Sequence, residues 1–216
     1  MSISQLYTFI GNLTYAAQAI VAFWGTFCVI VVWRRIREKR FKSEDAQNAF
    51  LGEVGRSLSK GDFDAAASQC DGDPRAVPQL SLVAILNRNL GFAKVRQLLQ
   101  DRFQRDIMTD LDHRLTWVHT VIKTAPMLGL FGTVLGMMGA FGKLAAAERV
   151  NPTELASDIS LALITTAIGL TTAIPLMVCV ASINIRIRQM EELVAAGLNQ
   201  FLEMFQAALN INARRK

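Results

Sequence analysis

Three stretches of the chain run long without a charged side chain, and between them apolar positions recur with helical period. The first stretch reaches from the N-terminus to Trp33, and its segment Leu13–Trp33 is nearly all apolar. The second lies between Lys123 and Lys143, and the third runs from Ile159 to Ile185. Each is long enough to cross a hydrocarbon core of about 30 Å as a helix. The second carries Gly129, Gly132, Gly136 and Gly139 at steps of three and four, and the third carries Thr165, Thr166, Gly169, Thr171, Thr172 and Pro175. Lipid-facing helices need neither feature. Small residues let backbones approach, and hydroxyls supply polar groups inside a bundle, so these two helices are built to face protein and a path for an ion.

The polar parts also read as helix. Glu44–Leu58 is one candidate and Asp62 starts another, with Gly72, Pro74 and Pro78 expected to break the chain between helices. From Phe92 the apolar positions run Val95, Leu99, Phe103, Ile107, Leu111, Leu115, Val118 and Ile122, which predicts one amphipathic helix entering the second span, roughly over 91–141. Met190, Val194, Leu198, Phe201, Phe205 and Leu209 extend the third span in the same way. Two such stripes in a small chain suggest association with further copies. Period-2 alternation is absent, so strands are not expected. The fold class is an all-α membrane protein with three transmembrane helices, two of them extended into the cytoplasm. The expected boundaries are an N-terminal periplasmic or interfacial segment at 1–12, spans at 13–33, 121–142 and 158–185, a cytoplasmic helical domain at 34–120, a periplasmic connection at 143–157 and a cytoplasmic C-terminal helix at 186–216.

Charge orients these spans. Arg34, Arg35, Arg37, Lys39, Arg40 and Lys42 follow Trp33 directly, and all of the 23 Lys+Arg except Lys143 and Arg149 fall in 34–123 or after Ile185. Basic residues stay on the cytoplasmic side, which predicts N-out/C-in topology with Tyr15 and Trp33 as interfacial aromatics. A cleaved signal peptide is not expected, because a basic region before the apolar run and a small-residue cleavage pattern are both missing. The pI near 9.4 then follows from topology and needs no nucleic acid.

Candidate chemistry adds little. Cys28, Cys70 and Cys179 lack disulfide or metal-ligand spacing. His113 and His119, six apart on a helix, do not share a face, so no metal site is expected. The glycines of the second span are not followed by the Lys-Ser/Thr of a phosphate loop, and no nucleophile–base arrangement is visible. The chain is not expected to be an enzyme, nor to carry a cofactor.

Two motifs are more specific. Leu128-Gly-Leu-Phe-Gly-Thr-Val-Leu-Gly136, together with the Ser160–Pro175 segment Ser-Leu-Ala-Leu-Ile-Thr-Thr-Ala-Ile-Gly-Leu-Thr-Thr-Ala-Ile-Pro, resembles the MotA/TolQ/ExbB proton channel family over about 126–183. The three-span topology is similar to that of ExbB and TolQ, and Gly61-Asp-Phe-Asp-Ala-Ala is similar in kind to their cytoplasmic region. The resemblance implies a homo-pentamer in the bacterial inner membrane. It would surround single-span partners of ExbD or TolR type, each with a transmembrane aspartate, and use the proton motive force to transmit work toward a TonB- or TolA-type protein. Two pore-lining threonines of the family align with Thr133 and Thr166, with Thr165 adjacent.

Where ExbB and TolQ commonly carry a pore-facing glutamate, this chain has Leu161, so the resemblance implies that the proton rides on the partner's carboxyl past a wall including Leu161, Leu163 and Ile164. Asp158 is a candidate for the outer mouth. Pro126, Gly129, Gly132, Gly136, Gly139, Gly169 and Pro175 are expected to shape helix packing. The expected function is that of a motor stator subunit driving TonB-dependent import. Tol-Pal-type maintenance of the outer membrane and a non-conducting structural scaffold are the alternatives. A small-solute transporter would show an inverted repeat or broken helices, and neither is seen.

Overall fold

Two helix starts in the polar part are set by side chains that satisfy free amides. A computed structural model describes residues 3–146 and 151–215. Its helices are α1 (Ile3–Lys39), α2 (Glu44–Ser59), α3 (Phe63–Cys70), α4 (Ala76–Leu86), α5 (Phe92–Arg102), α6 (Thr109–Ala146) and α7 (Pro152–Arg215), and no strand occurs among the described residues. Ser43 caps α2 by accepting from the Ala46 amide, and Asp62 caps α3 by accepting from Ala65. Gly61 and Gly91 take φ of 81° and 83° at the turns before α3 and α5, a region open to glycine.

Two local expectations are corrected. Pro78 does not break the chain: it is the third residue of α4, where its missing amide would have had no helical partner in any case. The stretch after Phe92 is helical through Ala146, but Phe103–Met108 forms a π-helical turn. The apolar stripe there advances in repeated steps of four, which drift around an α-helix of 3.6 residues per turn, and a wider turn restores the facing. The Thr109 hydroxyl donates to Gln104 O at 2.9 Å across this turn. α6 extends to Ala146 and α7 begins at Pro152, so both helices run into the connection expected at 143–157. Residues 147–150 of that connection, Arg149 among them, lie outside the described residues, as do Met1 and Ser2 of the N-terminal segment and Lys216.

The chain divides into two units, one built from the residues up to Val31 with Arg114–Ser182, the other from Val32–His113 with the residues from Ile183 onward. The first holds the apolar stretches. α1, the helical run Phe92–Ala145 and α7 are each long and apolar enough to cross a membrane. Their outward faces are apolar and uncovered, as at Phe23 (77% exposed), Leu130 and Leu163. Surfaces of this kind need lipid or further protein against them.

The second unit has an ordinary buried core. Leu51, Leu58, Phe63 and Ile85 are buried in it, as are Val95, Leu99 and Leu111 and, on α7, Met190, Phe201 and Phe205. Phe63 meets Phe205 edge-on at 6.3 Å between ring centroids, and the Gln47 amide donates to Leu193 O at 2.8 Å. The parts of both stripes that lie in this unit, from Val95 to Leu111 and from Met190 to Phe205, are therefore largely buried within the chain itself. The expectation that they would need further copies is overturned, and the case for assembly moves to the apolar faces of the first unit.

Candidate functional site on the α6–α7 hairpin

α6 and α7 run antiparallel within the first unit, and glycine sets their separation. A Cβ added at Gly129 would stand 2.8 Å from Thr165 O and 2.9 Å from Thr166 Cα. At Gly132 it would meet the Thr165 hydroxyl at 2.5 Å, at Gly136 the Ala162 Cβ at 2.6 Å, and at Gly169 the Ala125 carbonyl at 2.6 Å. Backbone approach this close leaves no room for any side chain larger than hydrogen. Gly139 is half-buried on the same helix. Pro126 lies beside the Gly169 contact, while Pro175 is exposed, and both prolines sit inside continuous helices.

The hydroxyls expected in the proton path fall into three different environments. Thr165 is buried, with Oγ1 2.9 Å from Gly129 O and 2.7 Å from Ala162 O, so its one proton is shared between α6 and its own helix. Thr133 is half-buried and its exposed hydroxyl donates back to Leu130 O at 2.7 Å, leaving acceptor lone pairs outward. Thr166 is half-buried with an enclosed hydroxyl that has no hydrogen-bond partner among the described residues. The structure joins Thr165 to Gly129 and gives no hydrogen bond between Thr133 and Thr166. Leu161 is half exposed, next to exposed Leu163 and Ile164, on an apolar face of α7. Asp158 makes an ion pair with Lys143, Oδ2 to Nζ 2.7 Å, at the closed end of the hairpin.

Two participants were not singled out by sequence. Gln18 of α1 is only 3% exposed, and its Nε2 donates to Thr165 O at 2.8 Å while its Oε1 has no partner among the described residues. Tyr15, read from sequence as an interfacial aromatic, donates its hydroxyl to Leu161 O at 3.0 Å. A lone glutamine in an uncharged span was the available signal, since polar side chains at membrane depth almost always seek protein partners. His113 and His119 belong to no potential metal cluster among the described residues.

A family model, the MotA/TolQ/ExbB proton channel family, matches residues 81–196, more than half of the chain, and its span holds both motifs and the glycine seam of the hairpin. The chain belongs to this family. Within it, the chain is similar to the Tol-Pal system protein TolQ of Haemophilus influenzae, 36% identical over 103 residues that make up 48% of this chain and 43% of TolQ. It is also similar to an ExbB homolog of Methanothermobacter thermautotrophicus, 31% identical over 170 residues covering 77% and 57% of the two chains. The biopolymer transport protein ExbB of Helicobacter pylori is 32% identical over 104 residues, 48% of this chain and 71% of that protein. The chain spans about half the length of the first two of these relatives. Family and apolar helices together make it a membrane protein.

Proposed function

We propose that the chain is the multi-span subunit of an inner-membrane, proton-driven complex of ExbB/TolQ type, with its N-terminus outside and its large helical region in the cytoplasm. Several copies, five by family resemblance, would surround partner helices of ExbD or TolR type, each with a membrane-embedded aspartate. The observation that carries this reading is a pair of threonine-bearing helices, fused along a glycine seam, whose other faces are apolar and uncovered. The described part of α7 has no carboxylate between Asp158 and Ile185. A proton crossing at this depth then rides on an acid from another polypeptide, which loses its charge on protonation and passes Leu161, Leu163 and Ile164 at low cost. The membrane potential supplies about 2.3 kcal/mol per charge per 100 mV, enough to bias a partner helix between positions. Thr133 offers lone pairs to a protonated carboxyl, and Thr166 offers a hydroxyl proton to an ionised one.

The work would go to TonB-dependent import. Relatives named TolQ and ExbB match to similar degrees, so maintenance of the outer membrane through a Tol-Pal-type system is the second reading, decided by which partner co-purifies. The test is reconstitution with the partner subunit into vesicles. Proton uptake should depend on the partner aspartate and fall in T133V and T166V with the assembly unchanged. An assembly that passes no protons, or one whose centre holds only lipid, would leave a structural scaffold in place of the motor.

A further inference from the structure

We infer that Thr165 is a positioning residue whose task, set from α1 by Tyr15, is to keep the Thr166 hydroxyl without a bond of its own. This rests on the proposed role of Thr166 in proton transfer and goes beyond it. In a helix, a threonine hydroxyl ordinarily donates to the carbonyl three or four residues back. Thr120, Thr124 and Thr172 of this chain all do so toward the fourth carbonyl back, at 2.9 to 3.0 Å. Thr166 does not; the carbonyl four residues back, the one those three use, is already occupied.

Each carbonyl has two lone pairs, and the helix takes one of them for the amide four residues on. Leu161 O gives one to the Thr165 amide, and its other is taken by the Tyr15 hydroxyl at 3.0 Å. Thr165 is thereby denied the carbonyl four back and turns to Ala162 O at 2.7 Å, sharing its proton with Gly129 O at 2.9 Å. Ala162 O is the fourth carbonyl back from Thr166, the position that Thr120, Thr124 and Thr172 use. With the Thr166 amide and the Thr165 hydroxyl both on it, it is full. Gln18 holds this arrangement in register by donating to Thr165 O at 2.8 Å. One tyrosine on α1 thus displaces one hydroxyl, which displaces the next.

The consequence is a difference between the two threonines aligned with the family's pore. Thr133 must break a 2.7 Å bond to offer its proton. Thr166 turns about χ1 toward a proton carrier without breaking any. A hydroxyl with nothing to lose is the better donor to a carboxylate arriving from another chain.

The experiment compares proton uptake by the reconstituted complex with T165V, T165S, Y15F and T166V, each checked for assembly. T165V and Y15F should each lower uptake about tenfold, the worth of one hydrogen bond to a charged group, and T165S should restore it. In a T166V background, T165V and Y15F should add no further loss. Wild-type uptake by both T165V and Y15F, or losses that multiply with that of T166V, would overturn the inference while leaving the role of Thr166 intact. Full uptake by T166V would instead remove Thr166 from the path and the proposed mechanism with it. A readout independent of transport is the infrared S–H stretch of T166C, taken as a difference from the parent. An unbonded S–H that shifts to lower frequency when Y15F is added supports the displacement, and one already hydrogen-bonded in the single variant refutes it.

Discussion

Replacing Gly129 with alanine should loosen the hairpin at one of its close backbone approaches. The new Cβ would stand 2.8 Å from Thr165 O and 2.9 Å from Thr166 Cα, both of them backbone that no rotamer change can move. Reaching an ordinary contact of 3.4 Å requires α7 to retreat by about 0.6 Å. Overpacking of this size costs about 1–3 kcal/mol, against which alanine regains about 0.5–1 kcal/mol of helix propensity. The retreat also stretches the Thr165–Gly129 and Gln18–Thr165 bonds, now 2.9 and 2.8 Å, at about 0.6 kcal/mol apiece for hydrogen bonds between membrane helices. The net loss should be about 1–3 kcal/mol. Gly52 on α2 is the control, because a Cβ there meets nothing within 4 Å and alanine should stabilise. Denaturation of the purified protein by sodium dodecyl sulfate in mixed micelles, followed by tryptophan fluorescence, reads both variants. Trp24 and Trp117, edge to face at 6.4 Å, provide the signal in this unit. A G129A protein as stable as the parent would refute the close approach on which the site is built.

Other outcomes follow from the second unit and from α1. Burial raises the Cys70 thiol to about 12, so in the folded protein at pH 8 only about one molecule in ten thousand carries the reactive thiolate; mass spectrometry after maleimide treatment should find Cys70 modified only once this unit is denatured. Hydrogen bonds from the Arg75 side chain hold the Asp73 carboxyl below its ordinary value. A depressed pKa stabilises the fold above about pH 4 and loses that contribution as pH falls through the folded value. D73N should therefore cost about 1–2 kcal/mol at neutral pH and flatten the acid end of a circular-dichroism stability profile. Q18L removes the α1 donor to Thr165 and should cost about 0.6–2 kcal/mol in the same micelle assay, with helix content unchanged.

Much of this architecture is legible in the chain because it rests on local chemistry. The uncharged runs announce the long helices, Ser43 and Asp62 mark where α2 and α3 begin, and the stripe through Val95, Leu99 and Leu111 gives the buried face before any fold is known. Other features depend on partners distant in sequence. Nothing near Gln18 or Tyr15 indicates that each will donate to a carbonyl some 146 residues away. Thr165 and Thr166 look equivalent as neighbours in a motif, and only the occupancy of Leu161 O and Ala162 O separates a packing hydroxyl from an uncommitted one. Pro78 misleads because a proline's effect depends on its position within the turn, and that position is fixed by where Arg75 leaves the helical conformation. The stripes misled about their own burial for a similar reason, since the α2–α3 segment that meets α7 at Leu193 and Phe205 reads as helices but not as a lid.

The ion pair between Lys143 and Asp158 has a consequence for how the hairpin is made. In the proposed orientation, with this connection outside, insertion carries the connecting end through the acyl chains ahead of the two helices that trail it. A bare ammonium and a bare carboxylate would each resist that passage, whereas held 2.7 Å apart they travel as a dipole. Zipping the glycine seam before translocation would bring them together, so in that orientation threading α6 and α7 as one folded-over piece would cost less than passing one helix after the other.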